Sequence, residues 1–270
     1  MKYKLLALDI DGTLVGADHK LPPENKAAVH KAVEKGINVM LCSGRSYASV
    51  RGFVEQLELT RPNNFAATFN GCIVHNTNTN KIVHDQKLPT AIALEIIENL
   101  KSFDGVEPVM YTDIYKILAY TKRMWADHYI KTCGATPTYT DDFSAHTPKA
   151  IYKIIALGDN AILKGVERHY DAIPNKPFAT SFTGEYLYEF FNPNANKGVA
   201  LQKVCDILGI NISEAIAVGD SDNDISMIQA AGLGVAMQNA NANVQSYADY
   251  ITINDCPNFG VKEVIEKFIL

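Results

Sequence analysis

The sequence predicts an α/β protein: a parallel sheet covered by helices, with a second α/β domain inserted into it. Three observations carry this. Apolar runs bounded by turn residues alternate with helical patterns over residues 1–81, the same rhythm returns over 191–270, and the stretch 82–190 instead holds alternating strands.

The elements follow in order. Lys4–Leu8 is an apolar run of strand length. Glu24–Lys35 carries Ala27, Ala28, Val29, Ala32 and Val33 at helical spacing and stops at Gly36, a favoured residue just past a helix end. Ile37–Cys42 is a second apolar run, Ser46–Leu57 a helix and Asn64–Phe69 a strand, which completes a β-α-β-α-β series. Asn76–Lys81 (NTNTNK) is polar enough for a hairpin or hinge. The insertion offers strands at Lys116–Thr121, Ala150–Leu157 and Glu185–Phe191. Helices are expected there at Thr90–Ser102, Lys122–Cys133 and Ala161–Ala172. Its alternation predicts a sheet with one exposed face. After it come a helix at Lys197–Leu208, a strand at Glu214–Val218 and a helix at Asp222–Ala231. Strands at Leu233–Ala236 and Tyr250–Thr252 and a helix at Val261–Ile269 close the series.

Composition narrows the function. Of 270 residues, 47% are apolar and 20% charged, ordinary for a globular chain, and the net charge of −5 argues against a general nucleic-acid binder. No run approaches the roughly 18 apolar residues of a membrane span. Asp9 and Asp11 break the first apolar run too early for a signal-peptide core. The five cysteines are odd in number, scattered and without a C-x-x-C, which fits reduced thiols and a cytoplasmic location. The seven histidines form no zinc pattern.

Acids mark where chemistry would lie. In open α/β sheets ligands bind beyond the carboxyl ends of the strands, where Asp9 and Asp11 stand. A period of two puts them on one side of an extended chain. Two neighbouring carboxylates call for a cation, and hard oxygen ligands suit Mg²⁺. Gly12 permits a tight turn and Thr13 can cap it. The same residues also make an ordinary turn with solvated acids. Leu41–Arg45 (LCSGR) ends the second strand, with Ser43 and Gly44 placed to meet an anion or merely to cap a helix. Asp220, Asp222 and Asp224 surround Asn223 after another short strand. Ile225 and Ala231 stand where the Gly and Glu of an EF-hand would be, which argues against one. Lys197 opens a helix where a cation beside these acids would favour a phosphate dianion.

Taken together, DIDGT, LCSGR, NKG at Lys197 and GDSDND resemble, in order and spacing, the haloacid dehalogenase superfamily of phosphohydrolases. TFNGCIV at 68–74, VAMQNANANV at 235–244 and ADYIT at 248–252 further resemble its Cof-like subfamily. The resemblance implies a Rossmann-like core over 1–81 and 191–270 with an inserted C2-type α/β cap over 82–190. It implies Mg²⁺-dependent hydrolysis of phosphomonoesters, most simply sugar phosphates or other small phosphorylated metabolites, through an aspartyl phosphate. In that scheme Asp9 is the nucleophile and Asp11 the acid/base. The metal is held by Asp9, Asp220 and Asp11, the last through its backbone carbonyl. Ser43, Gly44, Lys197 and Asn223 meet the phosphoryl group, and Asp224 orients Lys197 or a water on the metal. Arg45 and Asn70 are candidate substrate contacts or loop structure in equal measure. In the cap, Tyr111, Tyr115, Tyr120, Trp125 and Tyr186 fit core as well as ligand, and Glu189 fits a substrate contact or an edge-strand charge. A phosphomutase and a non-catalytic phosphate-binding protein are the alternatives. Neither nucleic acid nor membrane is an expected partner, and the oligomeric state is open.

Overall fold

The computed structural model of the chain describes residues 2–113, 115–121, 124–146 and 150–270. They divide into two compact units. One is Met1–Arg45, Val50–Asp85 and Ala195–Leu270; the other is Ser46–Ser49 and Gln86–Asn194.

The first unit begins with β1 (Leu5–Asp9), buried along its whole length, and α1 (Pro23–Glu34), whose proline sits in the first turn where no hydrogen bond is lost. β2 (Asn38–Cys42), α2 (Tyr47–Gln56, of which Val50 onward belongs to this unit) and β3 (Phe65–Thr68) follow, then a hairpin of β4 (Ile73–Asn76) and β5 (Lys81–Asp85). The NTNTNK segment is the hairpin turn, because Asn76 Oδ1 accepts from the backbone N–H groups of Asn78 and Thr79.

The second unit runs through α3 (Thr90–Lys101), β6 (Glu107–Tyr111), β7 (Lys116–Ala119) and α4 (Met124–Cys133). It continues with β8 (Thr136–Tyr139), β9 (Lys153–Leu157), α5 (Asn160–Asp171), β10 (Ala179–Gly184) and β11 (Leu187–Phe191). The first two positions of the helix expected from Lys122 lie outside the described residues. The chain then returns with α6 (Lys197–Leu208), β12 (Ala215–Gly219), α7 (Ile225–Ala230), β13 (Leu233–Ala236), α8 (Ala242–Gln245), β14 (Tyr250–Ile251) and α9 (Gly260–Phe268).

In the first unit eight strands lie in the order β14-β13-β12-β1-β2-β3-β4-β5, parallel from β14 to β3 and antiparallel beyond. Leu5 pairs with Asn38 of β2 on one side and Ala215 of β12 on the other. The chain leaves β1 toward β2 and comes back beside it at β12. That reversal opens a crevice at the carboxyl ends of β1 and β12, where such sheets take ligands. Leu5, Met40, Phe65, Leu201, Val204 and Met227 fill one face of the sheet. Each such side chain, fully removed from water, contributes about 1.5–3 kcal/mol.

In the second unit six strands lie in the order β10-β11-β9-β6-β7-β8. Ile96 and Leu100 of α3 and Leu163 and Val166 of α5 pack on Met110, Ile154 and Phe190 of the sheet. The one exposed face expected from the alternation is not found in the central strands: β6 and β9 are buried at every position. α4 accounts for part of this. Glu107, buried on β6, accepts hydrogen bonds from the backbone N–H groups of Met124, Trp125 and Ala126, and so anchors the free N-terminus of α4. Pro108 sits in a central strand because the pairing of β6 with β7 starts only at Val109.

The junctions fall at Asp85/Gln86 and Asn194/Ala195, a few residues beyond 81/82 and 190/191. The cause is pairing: β5 extends the first unit's sheet, and β11 runs through Phe191 within the second. Glu189 is not an edge-strand charge. β11 is paired on both sides, and the Glu189 carboxylate, 4% exposed, meets Lys153 Nζ at 2.7 Å. Tyr111 is buried with its hydroxyl 2.8 Å from that of Tyr129, and Trp125 stacks on Tyr186.

Removing the carboxylate that neutralises a buried ammonium is costly. Glu189→Gln should lower the unfolding free energy by about 3–5 kcal/mol in urea titrations, and Lys153→Met with Glu189→Met should recover most of the loss. A second outcome concerns acid. Burial lowers the pKa of His75, on β4, to about 4, against about 6.5 in an unfolded chain. Between those values the unfolded chain binds the additional proton. Stability is intact above the window and falls as pH drops through it, by at most about 1.4 kcal/mol per pH unit. Between pH 7 and pH 5 the urea midpoint should fall further for the native chain than for His75→Leu.

Candidate active site

The crevice between β1 and β12 is built around one buried ammonium. Asn196 caps α6 by accepting from the Val199 N–H, which fixes Lys197 as the first helical residue. The next residue must be glycine: a Cβ on Gly198 would overlap the Ser226 carbonyl of α7. That close approach seats Lys197 with no solvent exposure. Its Nζ donates to Asp9 Oδ1 at 2.6 Å and to Asp224 Oδ1 at 2.5 Å.

Asp224 is held from its other side as well. Its Oδ2 accepts from the backbone N–H groups of Asp220 and Ser221, both at 3.0 Å, which folds the GDSDND segment back on itself after β12. Asp220 is thereby turned toward β1. Its Oδ1 accepts from Thr13 Oγ1 at 2.9 Å and its Oδ2 from Ser221 Oγ at 3.2 Å. Gly12 makes room for it: its φ is +82°, and a Cβ there would overlap the Asp220 carboxylate.

Carboxylate oxygens of Asp9, Asp220 and Asp224 come within 4.8 Å of one another. The electrostatics follow from that crowding. Burial and then the charge of Asp224 push Asp9 well above the usual carboxylate range, against the opposing pull of Lys197. Asp220 is raised by burial and by Asp224, with the Thr13 and Ser221 hydroxyls drawing it back. Burial alone would lower Lys197, but Asp224 and Asp9 outweigh it and raise its pKa. If all three acids ionise, one ammonium leaves the cluster with excess negative charge. Hard oxygens and unbalanced negative charge fit a small divalent cation.

Asp11 takes no part in that cluster. Its carboxylate, 42% exposed, accepts from Arg45 Nε at 2.7 Å and Nη2 at 2.5 Å. Ser43 is buried, and its Oγ accepts from the Arg45 N–H within the loop that precedes α2. Asn70 lies in a left-handed conformation (φ 57°, ψ 33°) after β3, and its Oδ1 accepts from Asn223 Nδ2 at 2.9 Å. Gly44 packs beside it, with an ideal Cβ only 3.0 Å from Asn70 Oδ1. The loops after β2, β3 and β12 thus meet at Gly44, Asn70 and Asn223.

Two participants escaped sequence reasoning. Thr13 was expected only to cap its own turn, yet it binds Asp220. Asn239, within VAMQNANANV, donates to the Gly12 carbonyl and accepts from the Cys256 N–H, bracing the DIDGT turn. The asparagine richness of that stretch was visible; its target, far away in sequence, was not.

A family model for haloacid dehalogenase-like hydrolases matches residues 6–265. The chain belongs to that family. A putative phosphatase of Bacillus subtilis is 28% identical over 99% of this chain and 99% of its own length. A 5-amino-6-(5-phospho-D-ribitylamino)uracil phosphatase of the same organism is 29% identical over 99% of this chain and 96% of its own. A crystal structure of a haloacid dehalogenase-like hydrolase from Bacteroides thetaiotaomicron superposes with a TM-score of 0.89 at 27% identity, covering 98% of each chain. The chain is a hydrolase of the phosphatase class. No helix among the described residues is long and apolar enough to cross a membrane.

Lys197→Met would leave Asp9 and Asp224 buried without their cation. We expect a loss of about 3–5 kcal/mol in unfolding free energy by urea denaturation.

Proposed function

We propose that this haloacid dehalogenase-like enzyme hydrolyses phosphomonoesters through a phosphorylated Asp9. The observation that carries the proposal is the placement of Asp9: at the carboxyl end of β1, tied to Lys197, with Asp220 beside it. A nucleophilic carboxylate needs to be ionised and oriented, and the Lys197 ammonium serves both needs. Asp9 attacks phosphorus as the ester oxygen departs. Lys197, the Ser43 hydroxyl and Asn223 stabilise the phosphoryl oxygens, and the backbone at Gly44 approaches the same group. Asp11 gives a proton to the departing oxygen and takes one from the water that cleaves the aspartyl phosphate. Asp224 keeps Lys197 in place from behind.

Asp9, Asp220 and the Asp11 backbone carbonyl would hold Mg²⁺, which supplies positive charge to offset the developing negative charge on the phosphoryl group. The raised pKa values of Asp9 and Asp220 support this reading, since they mark carboxylates that gain from an added cation.

The substrates we propose are sugar phosphates or other small phosphorylated metabolites, the class implied by the Cof-like resemblance and supported by the relative that acts on a phosphorylated ribityl chain. The second unit takes the part of the inserted cap and selects the leaving group. Arg45 and Asn70 have partners within the protein, Asp11 and Asn223, so loop architecture is the better account of Asn70.

Phosphate release from a panel of phosphomonoesters, with Mg²⁺ and with chelator, tests the reading. Asp9→Asn should abolish Mg²⁺-dependent release while the melting temperature stays near that of the native chain, because Asp224 still neutralises Lys197. Retained turnover in the variant would overturn the mechanism, and an isomerised ester in place of free phosphate would mark a mutase.

A further inference from the structure

Arg45 does something other than wait for a substrate anion. Its guanidinium is committed to Asp11 in a two-pronged fork, with Nε on Oδ2 and Nη2 on Oδ1. Two further contacts fix the guanidinium. Its carbon lies 5.8 Å from the centre of the Phe53 ring on α2, and Nη2 sits 3.0 Å from His19 Nδ1. His19 reaches this position from a left-handed backbone (φ 54°) whose N–H donates to the Gly16 carbonyl, and its Nδ1 also lies 3.3 Å from Asp11 Oδ1. A non-glycine residue in that conformation is held there by its surroundings.

The fork therefore sets the plane and rotamer of the Asp11 carboxylate, which has a guanidinium rather than the Lys197 ammonium as its cation. It does so without consuming it. A carboxylate oxygen has two acceptor lone pairs, and Oδ2 accepts only from Arg45 Nε among the described residues, which leaves its second lone pair to carry the proton that Asp11 transfers.

We propose that Arg45 is a positioning residue for Asp11: it aims the carboxyl group for proton transfer to the departing oxygen. The inference rests on the reading of Asp11 as acid/base. In the first step an Asp9 oxygen forms a bond to phosphorus, the ester O–P bond breaks, and the Asp11 proton passes to the ester oxygen. A sugar alkoxide is too basic to leave without that proton, whereas p-nitrophenolate leaves unaided. A residue that aims Asp11 is thus felt in proportion to the basicity of the leaving group. A residue that only binds phosphate, or only holds the fold, is felt equally by both esters.

The test is single-turnover phosphorylation of the native chain, Arg45→Met and Arg45→Lys with glucose 6-phosphate and with p-nitrophenyl phosphate, under saturating ester. Arg45→Met should slow the sugar ester by roughly tenfold more than the nitrophenyl ester, the loss appearing in rate rather than in KM. Arg45→Lys, which keeps the charge but not the fork, should recover only part of it. In an Asp11→Asn background the extra loss on the sugar ester should vanish. Equal losses on both esters, a rise confined to KM, or a differential that persists without Asp11 would each overturn the inference alone. Phosphate release by the native chain with no phosphorylated Asp9 would overturn the proposed mechanism and this inference with it.

Discussion

The Lys197 ammonium, sealed from water between Asp9 and Asp224, is the interaction on which the rest of the crevice depends. A buried ion carries a desolvation penalty of several kcal/mol unless its partners are close and well directed. Meeting that condition fixes much else. α6 has to start at Lys197, which Asn196 ensures, and has to touch α7, which Gly198 permits. The segment after β12 has to curl so that Asp224 can accept from Lys197 on one oxygen and from its own backbone on the other. Once that curl is made, Asp220 faces the DIDGT turn without further help.

The two acids of DIDGT live in different worlds although one residue separates them. Asp9 ends a strand, is almost wholly buried, and has an ammonium as its cation. Asp11 lies in the turn, is half exposed, and has a guanidinium as its cation. The difference originates in the strand itself. The sheet carries Asp9 inward, and the left-handed Gly12 bends the chain away from it directly after Asp11. Pairs of titratable groups set in contrasting environments are how one fold obtains two chemical roles from one residue type.

Much of this was legible in the sequence, for a physical reason. The parallel strands are continuous apolar runs, and the acids that end them cannot belong to a core, so Asp9 and Asp220 announce the carboxyl edge of the sheet. Helix ends at Lys197 and Gly209 were legible because capping is local. The failures share an opposite cause. Glu189 fitted a substrate contact or an edge charge because its partner, Lys153, comes from another strand, and strand order is not written in any one strand. β6 carries Pro108, which argues against a central strand until its register is known. The fork between Arg45 and Asp11, the pair Asn70–Asn223 and the brace from Asn239 to Gly12 all join loops distant in sequence. The two Asn contacts come from residue types that are common in turns for purely local reasons.

The pairing of β1 with both β2 and β12 has a consequence for how the protein comes into being. Leu5 finds its β2 neighbour at Asn38 but its β12 neighbour only at Ala215. During synthesis β1 is therefore made early and left with one flank open while the whole second unit emerges. Contacts of such sequence separation are slow to form, and an apolar strand with a free edge invites pairing with other chains in the interval. Asp9 spends that interval without Lys197, in reach of water, as an ordinary ionised side chain. The charge that ends β1 thus opposes pairing of the nascent strand with other chains before the crevice has formed.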